Sequence, residues 1–308
     1  MKKITSMILA LVFAVSLIGT ASAKTLKIQL TFPKTSYDGQ IVKMWTDRVT
    51  QLTRGELKFE LLSKGEVVGM KETLEAVDKG LVDGGAAWTH YWSNYHPAAM
   101  LFGSPVAGGG IGLSTKSWLA WYFDNGGKEL YDRLWNEMGM NVKGFVMASS
   151  GPEALGWFKE PIKNMDDFRK YRFRTPPGIP GQTYKDIGIA SVSVSGGDIL
   201  LAREKGTIDA AEWCCPKPDS VFGFQKVLKN YYLQGLHQNV VNGDIYINGD
   251  VYNSLTDHQK YAMEVASEAM ITRNITNRAV ENGKALIDLT ENHGVKLWDT
   301  PADYFTEY

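Results

Sequence analysis

The chain has 308 residues, 44% of them hydrophobic and 22% charged, with a formal net charge of -1. That balance fits a soluble globular protein long enough for two domains, and it excludes the strongly basic surface that nucleic-acid binding requires. Two adjacent cysteines, Cys214 and Cys215, imply no disulfide framework, because neighbouring residues rarely reach disulfide geometry without strain. A pair of small, partly buried thiols is the plain reading, with a vicinal disulfide or thiol chemistry as the alternative. Five scattered histidines show no zinc-type spacing.

The N-terminus reads M-K-K, then an apolar run from Met7 to Ile18, then Ala21-Ser22-Ala23, the pattern of an export signal cleaved after Ala23. The run barely reaches the length of a membrane span, and no later stretch is apolar enough to be one. Thr25 to Thr31 alternates as a strand, and Ile41, Trp45, Val49 and Leu52 define one face of a helix. A strand over Leu57 to Leu62, a helix carrying Met70, Leu74, Val77 and Leu81, and a strand over Val82 to Ala87 follow. This β-α-β-α-β order predicts a parallel sheet in a first lobe. Trp88 to Trp92, at the last strand's exit, is aromatic, with packing as its commoner use. Gly103 to Gly112 is glycine-rich but lacks the spacing of a phosphate cradle.

An internal echo sets up a second lobe. L-E-A-V-D-K-G-L-V-D (74 to 83) aligns with L-L-A-R-E-K-G-T-I-D (200 to 209), each a helix closed by a glycine and leading into a buried strand, with Asp83 and Asp209 as turn residues. Strands are expected over Val142 to Ala148, Lys170 to Thr175 and Ala190 to Ser195, with a turn at Ser149 to Glu153 before Leu155 to Phe158. Lys170 to Thr175 alternates Tyr171 and Phe173 with Arg172 and Arg174; Arg172 is expected on the strand face opposite Arg174. Spacing leaves Arg174 open between a solvated residue and a carboxylate clamp. Asp198 is expected to cap the helix ending at Gly206.

The stretch Ile208 to Asp219 concentrates the chemistry, since a small-residue strand delivers Glu212, Trp213 and both thiols into a turn punctuated by Pro216 and Pro218. Open α/β sheets bind ligands at such carboxyl edges. A helix around Val221 to Lys229, a return strand at Asp244 to Asn248, and a capping box (Thr256, Gln259) opening a long helix toward Asn292 complete the order, before a strand at Val295 to Trp298. The expected division is a signal peptide (1–23), lobe I (24–148, with a return segment at about 241–255 and part of the C-terminal region), lobe II (149–240), a helix spanning both lobes (256–292), and a C-terminal strand and tail (293–308).

G-P-E-A-L-G-W-F (151 to 158), K-Y-R-F-R-T-P-P-G (170 to 178) and E-K-G-T-I-D-A-A-E-W-x-x-P-x-x-D (204 to 219) carry a family resemblance. The chain resembles the solute-binding proteins of tripartite ATP-independent periplasmic (TRAP) transporters, DctP type, above all the branch that binds 2-oxo and 2-hydroxy monocarboxylates with a metal ion. The resemblance implies an α/β, two-lobed periplasmic-binding-protein fold with a ligand cleft between the lobes. It implies a receptor, not an enzyme, that delivers a small organic acid to TRAP membrane subunits. Arg174 matches the arginine that grips the substrate carboxylate, and Glu212 with the Trp213 carbonyl matches the metal ligands. Glu153 stands where a glutamine is usual, which leaves open Ca²⁺, Na⁺ or no metal; no organic cofactor is implied. Phe32, Trp88 and Tyr91 are the candidate ligand contacts from the other lobe. The chain stops short of the terminal helix common in similar proteins, so oligomeric state stays open. Two other classes stand beside it: a binding protein for an ABC transporter or sensor kinase, and an exported hydrolase, which would need His237 brought to the thiols.

Overall fold

The computed structural model describes residues 23–105, 113–176, 178–194 and 196–308. The expected signal segment, most of the glycine-rich loop, Pro177 and Ser195 lie outside the described residues. Eleven strands among the described residues form two sheets. The first holds β1 (Lys24–Leu30), β2 (Leu57–Leu62), β3 (Gly84–Trp88), β4 (Val142–Ser150) and β10 (Val241–Asn248), in the order β2-β1-β3-β10-β4. The second holds β5 (Gly156–Phe158), β6 (Arg172–Thr175), β7 (Ala190–Ser193), β8 (Ala210–Ala211), β9 (Asn230–Tyr232) and β11 (Lys296–Trp298), ordered β11-β9-β5-β8-β6-β7.

The first sheet is parallel only across β2, β1 and β3; β10 runs antiparallel to both β3 and β4. The three strands of the β-α-β-α-β order are parallel as expected, and β10 departs because it enters this sheet directly from the second lobe rather than through a crossover helix. The second sheet repeats the plan, with β6 parallel to β7 and β8, and β5 antiparallel to β8 and β9. The C-terminal strand pairs with β9, and Tyr304 beyond it joins the second lobe's core.

The echoed segments fold alike. Gly80 and Gly206 both adopt φ +69°, where a side chain is strained, and each ends its helix with the same bond two residues into the turn: Leu81 N–H to Ala76 C=O at 2.9 Å and Thr207 N–H to Ala202 C=O at 2.8 Å. Asp83 then accepts from the Lys27 amide of β1, and Asp209 from the Arg172 amide of β6. Each aspartate thereby pins the start of one strand to its neighbour.

Two departures are local. Asp198 makes no cap bond; its carboxylate reaches across the lobes to Lys64 at 2.9 Å. The helix expected over Val221 to Lys229 instead spans Pro216–Phe222, because Pro216 suits a first turn and Gly223, at φ +91°, stops it.

The long helix Asp257–Asn292 opens with the expected capping box between Thr256 and Gln259. Its first half buries Met263, Ala266 and Met270 against β1, β4 and the helix Tyr37–Leu52, and Trp45 donates to Ser267 at 2.8 Å. Its second half packs Leu286 and Leu289 into the other lobe. At 1.5 Å per residue it is about 54 Å long, enough to brace both lobes. Among the described residues no helix is long and apolar enough to cross a membrane.

Candidate ligand and cation site

The two lobes are joined by the segments after β4 and before β10, which lie against each other. Glu153 donates its amide to Gln238 C=O at 3.0 Å, and a side chain on Gly235 would meet Glu153's carbonyl at 2.9 Å. Glu153 and His237 therefore belong to adjoining connections, and β8 delivers Glu212 beside them.

Arg174, at the carboxyl end of β6, is 1% exposed and forms an ion pair with the fully buried Glu212. Its Nε donates to Val194 C=O at 2.9 Å and its Nη1 to Glu212 C=O at 3.0 Å. The guanidinium also lies over the Trp213 ring at 5.3 Å. The protein thus uses two nitrogens of the fork to hold the arginine in place, and Nη2 is the one for which no protein partner is described. Arg172 does not lie on the opposite face, since positions two apart on a strand share a face. It differs by position along the strand: half-exposed at the start of β6, it makes a two-point pair with Asp209.

Three buried atoms face one another without a hydrogen-bond partner: Glu153 Oε2, Glu212 Oε2 and His237 Nε2. His237 Nε2 stands 3.6 Å from Glu212 and 4.0 Å from Glu153, and the three groups offer ligand atoms within 4.8 Å of one another. Burial raises the Glu212 carboxyl, but Arg174 and His237 outweigh it and hold it below the usual carboxylate range. Burial and the Glu212 charge push Glu153 well above that range. The two carboxyls are thus pushed apart in proton affinity, as expected when like charges share a dry site. His237 Nδ1 meets the Tyr184 hydroxyl at 3.2 Å, which in turn meets the Tyr304 hydroxyl.

Of the residues expected from sequence, Arg174, Glu153, Trp213, Trp88 and Tyr91 line one small cavity between the lobes, with Glu212 behind Arg174. Phe32 lines the adjoining pocket, which shares Asp38, Trp88, Ser150, Val241 and Arg278 with the first, and it packs against Trp88 at 4.9 Å. Trp88 and Trp213 meet edge to face across the lobes at 5.6 Å. A larger groove near Met100 and Lys185 lacks a comparable cluster of charged groups in its lining. The thiols accept from Arg278, and His237 Nδ1 meets the Tyr184 hydroxyl, so among the described residues no hydrogen bond joins either thiol to the histidine that a hydrolase would need.

Sequence reasoning missed four groups. His237 was weighed only as a hydrolase base. Asp38 and Arg278, which line the cavity, form a buried pair at 3.1 Å from distant parts of the chain. Asp219, the last residue of E-W-x-x-P-x-x-D, organises the turn by accepting from the amides of Cys214 and Cys215, the Trp157 indole and the Tyr231 hydroxyl. The fixed spacing between Glu212 and Asp219 was the available signal.

Residues 30–304 match the family described as bacterial extracellular solute-binding protein, family 7 (DctP). The chain is 31% identical over 253 residues to the monocarboxylate 2-oxoacid-binding periplasmic protein of Nostoc sp., covering 81% of this chain and 66% of that protein. Its fold is similar to a TRAP transporter solute-binding protein from Bordetella bronchiseptica RB50, with copurified calcium and picolinate in its active site, at TM-score 0.84 and 26% identity over 93% of this chain and 83% of that one. It is similar in fold to a TRAP periplasmic solute-binding protein from Pseudoalteromonas atlantica T6c with bound sodium and pyruvate, at TM-score 0.83 and 22% identity over 93% and 85% of the two chains. The two lobes, their shared sheet plan and this match over most of the chain make it a member of the DctP family of extracellular solute-binding proteins.

Proposed function

We propose that the protein is a periplasmic receptor, exported with cleavage after Ala23, that binds a small 2-oxo or 2-hydroxy monocarboxylate with a cation and delivers it to TRAP membrane subunits. One observation carries this reading: Glu153, Glu212 and His237 aim unpartnered buried atoms at one another beside a fixed arginine. Leaving such groups unsatisfied is costly, so the cluster fits a ligand that completes it.

Arg174 Nη2 would donate to the acid's carboxylate, while Val194 and Glu212 hold the guanidinium in place. Glu153 and Glu212 would hold the cation, with the Trp213 carbonyl as a third ligand. Their oxygen donors suit Na⁺ or Ca²⁺. The ion would offset repulsion between the protein carboxylates and an anionic ligand and take up the 2-oxygen. With Nδ1 against Tyr184, His237 keeps Nε2 toward the carboxylates and orients them. Trp88 and Tyr91 close the opposite wall with neutral surface. Binding rather than turnover is the chemistry this set supports, and the family is one of receptors.

Calorimetry on the mature protein tests this. After chelation, pyruvate binding should be weak; added Ca²⁺ should restore it, and propionate, lacking the 2-oxygen, should bind poorly throughout. Elemental analysis without a cation, together with unchanged pyruvate affinity after chelation, would remove the ion from the reading.

A further inference from the structure

We infer that Cys214 and Cys215 form a reversible redox site in the wall of the ligand cleft, closing to a vicinal disulfide by exchange with a small organic disulfide and weakening acid binding when closed. The two Sγ atoms lie 2.7 Å apart, and Arg278 Nη1 donates to both, at 3.0 and 3.3 Å. Arg278 comes from the helix that braces both lobes and is itself tied to Asp38 of the first lobe. Both thiols are buried with the lobes together, but Cys214 faces the cleft, so separation of the lobes at Trp88 and Trp213 would admit a small oxidant.

In the exchange, each thiol gives up one proton and one electron as the Cys214–Cys215 bond forms, and the organic disulfide's bond breaks, taking both to leave as two thiols. The product is strained. Adjacent Cα atoms are about 3.8 Å apart across a trans peptide, below the roughly 4.4–6.8 Å of ordinary disulfides. Strained disulfides are the easily reduced ones, which makes the step reversible.

The consequence for binding rests on the proposed acid site. The Cys214 carbonyl accepts from the Ala154 amide at 2.8 Å, next to Glu153, and Glu212 lies two residues before Cys214. The amides of Cys214 and Cys215 are both held by Asp219. Reshaping the peptide between the cysteines therefore pulls on the backbone that carries both carboxylates. Losing that orientation should weaken binding by about 10-fold.

The test treats the mature protein with oxidised glutathione, then counts thiols in denaturant, records the intact mass, and measures pyruvate binding in Ca²⁺. The expected result is loss of both thiols with loss of two hydrogens and no glutathione adduct, reversal by dithiothreitol, slower reaction when pyruvate and Ca²⁺ are bound, and about 10-fold weaker pyruvate binding once oxidised. Cys215→Ser cannot lose two hydrogens and should bind pyruvate as the reduced protein does. Two thiols surviving oxidant, a stable adduct on the unaltered protein, or a disulfide that leaves affinity unchanged would overturn the inference. If the reduced protein fails to bind pyruvate, the acid reading falls, while the thiol count still decides whether the ring forms.

Discussion

The paired strands β1 and β3 in the first lobe and β6 and β8 in the second share one scaffold but carry opposite chemistry. Gln29 pairs with Gly85, and Arg174 with Ala211, at matching places in the echoed register. Gln29 donates to the carbonyl of Ser63 at the exit of β2; Arg174 donates to that of Val194 at the exit of β7. One residue further, the first lobe has Ala86 and the second Glu212. A guanidinium and a carboxylate thus stand at a strand junction where the first lobe has an amide and a methyl. The first lobe contributes Trp88 and Tyr91 at its strand exit instead, so Arg174 lines the cavity from the second lobe and the two aromatics line it from the first. On the proposed reading, two side chains rather than a difference in backbone decide where the acid is held.

Exchanging the arginine for its counterpart tests the comparison most severely. Arg174→Gln leaves Glu212 buried without its partner, which should cost about 3–5 kcal/mol of stability by denaturant unfolding and lower pyruvate affinity at least about 100-fold by calorimetry. Arg174→Lys keeps the charge but cannot reach both Val194 and Glu212, so an intermediate loss is expected. Gln29→Ala, at the matching place, should cost about 1–3 kcal/mol through its unsatisfied partners and leave pyruvate affinity unchanged. Equal affinity losses at both positions would end the contrast between the lobes.

Gly196→Ala attacks the contact between the lobes. A Cβ there would stand 2.1 Å from the Trp213 ring. Displacing the indole should cost about 1–3 kcal/mol, remove its edge contact with Trp88 and change tryptophan fluorescence on adding pyruvate. An unaltered ligand response would show that the indole does not sense the ligand. A smaller change is expected from Glu153→Gln, because the amide resembles the protonated acid that burial favours there. Stability should hold, while Ca²⁺ affinity falls by about 10-fold and preference moves toward Na⁺, read by calorimetry with each ion.

The elements legible in sequence were those whose signals are local. The capping box at Thr256 opened the long helix, and the strand expected over Leu57 to Leu62 has those bounds. Leu52 and Leu81 fit the helical stripes yet are exposed: Leu52 is the last residue of its helix, and Leu81 lies beyond its own, which closes at Asp78 before the Gly80 turn. Glu212 and Arg174 were legible through a dense motif. Asp38, His237 and Arg278 were not, because each acts through partners far along the chain that only the lobes' assembly brings near. Asp198 kept a capping residue's identity but found a stronger partner in Lys64.

The smallest effect concerns the aspartates that pin the echoed strands. Asp209 takes a two-point pair from Arg172 as well as its amide, whereas the bond described for Asp83 comes from the Lys27 amide. Hydrogen bonding from Arg172, opposed by slight burial, holds the Asp209 carboxyl below the usual range. The unfolded chain then binds this proton more readily than the folded one, so the contribution is present above about pH 4 and lost as acid protonates the folded carboxylate. Arg172 is half-exposed, so water and salt screen the pair and its contribution is small. Asp209→Asn should therefore lower stability by less than about 1 kcal/mol at neutral pH, with the difference from the unaltered protein shrinking below about pH 4 and with added salt. Arg172→Ala should do the same and leave pyruvate affinity intact, although Arg172 shares a strand face with Arg174. A binding defect in Arg172→Ala would mean that charge at the outer end of β6 reaches the cleft, and that position along the strand does not separate the two arginines.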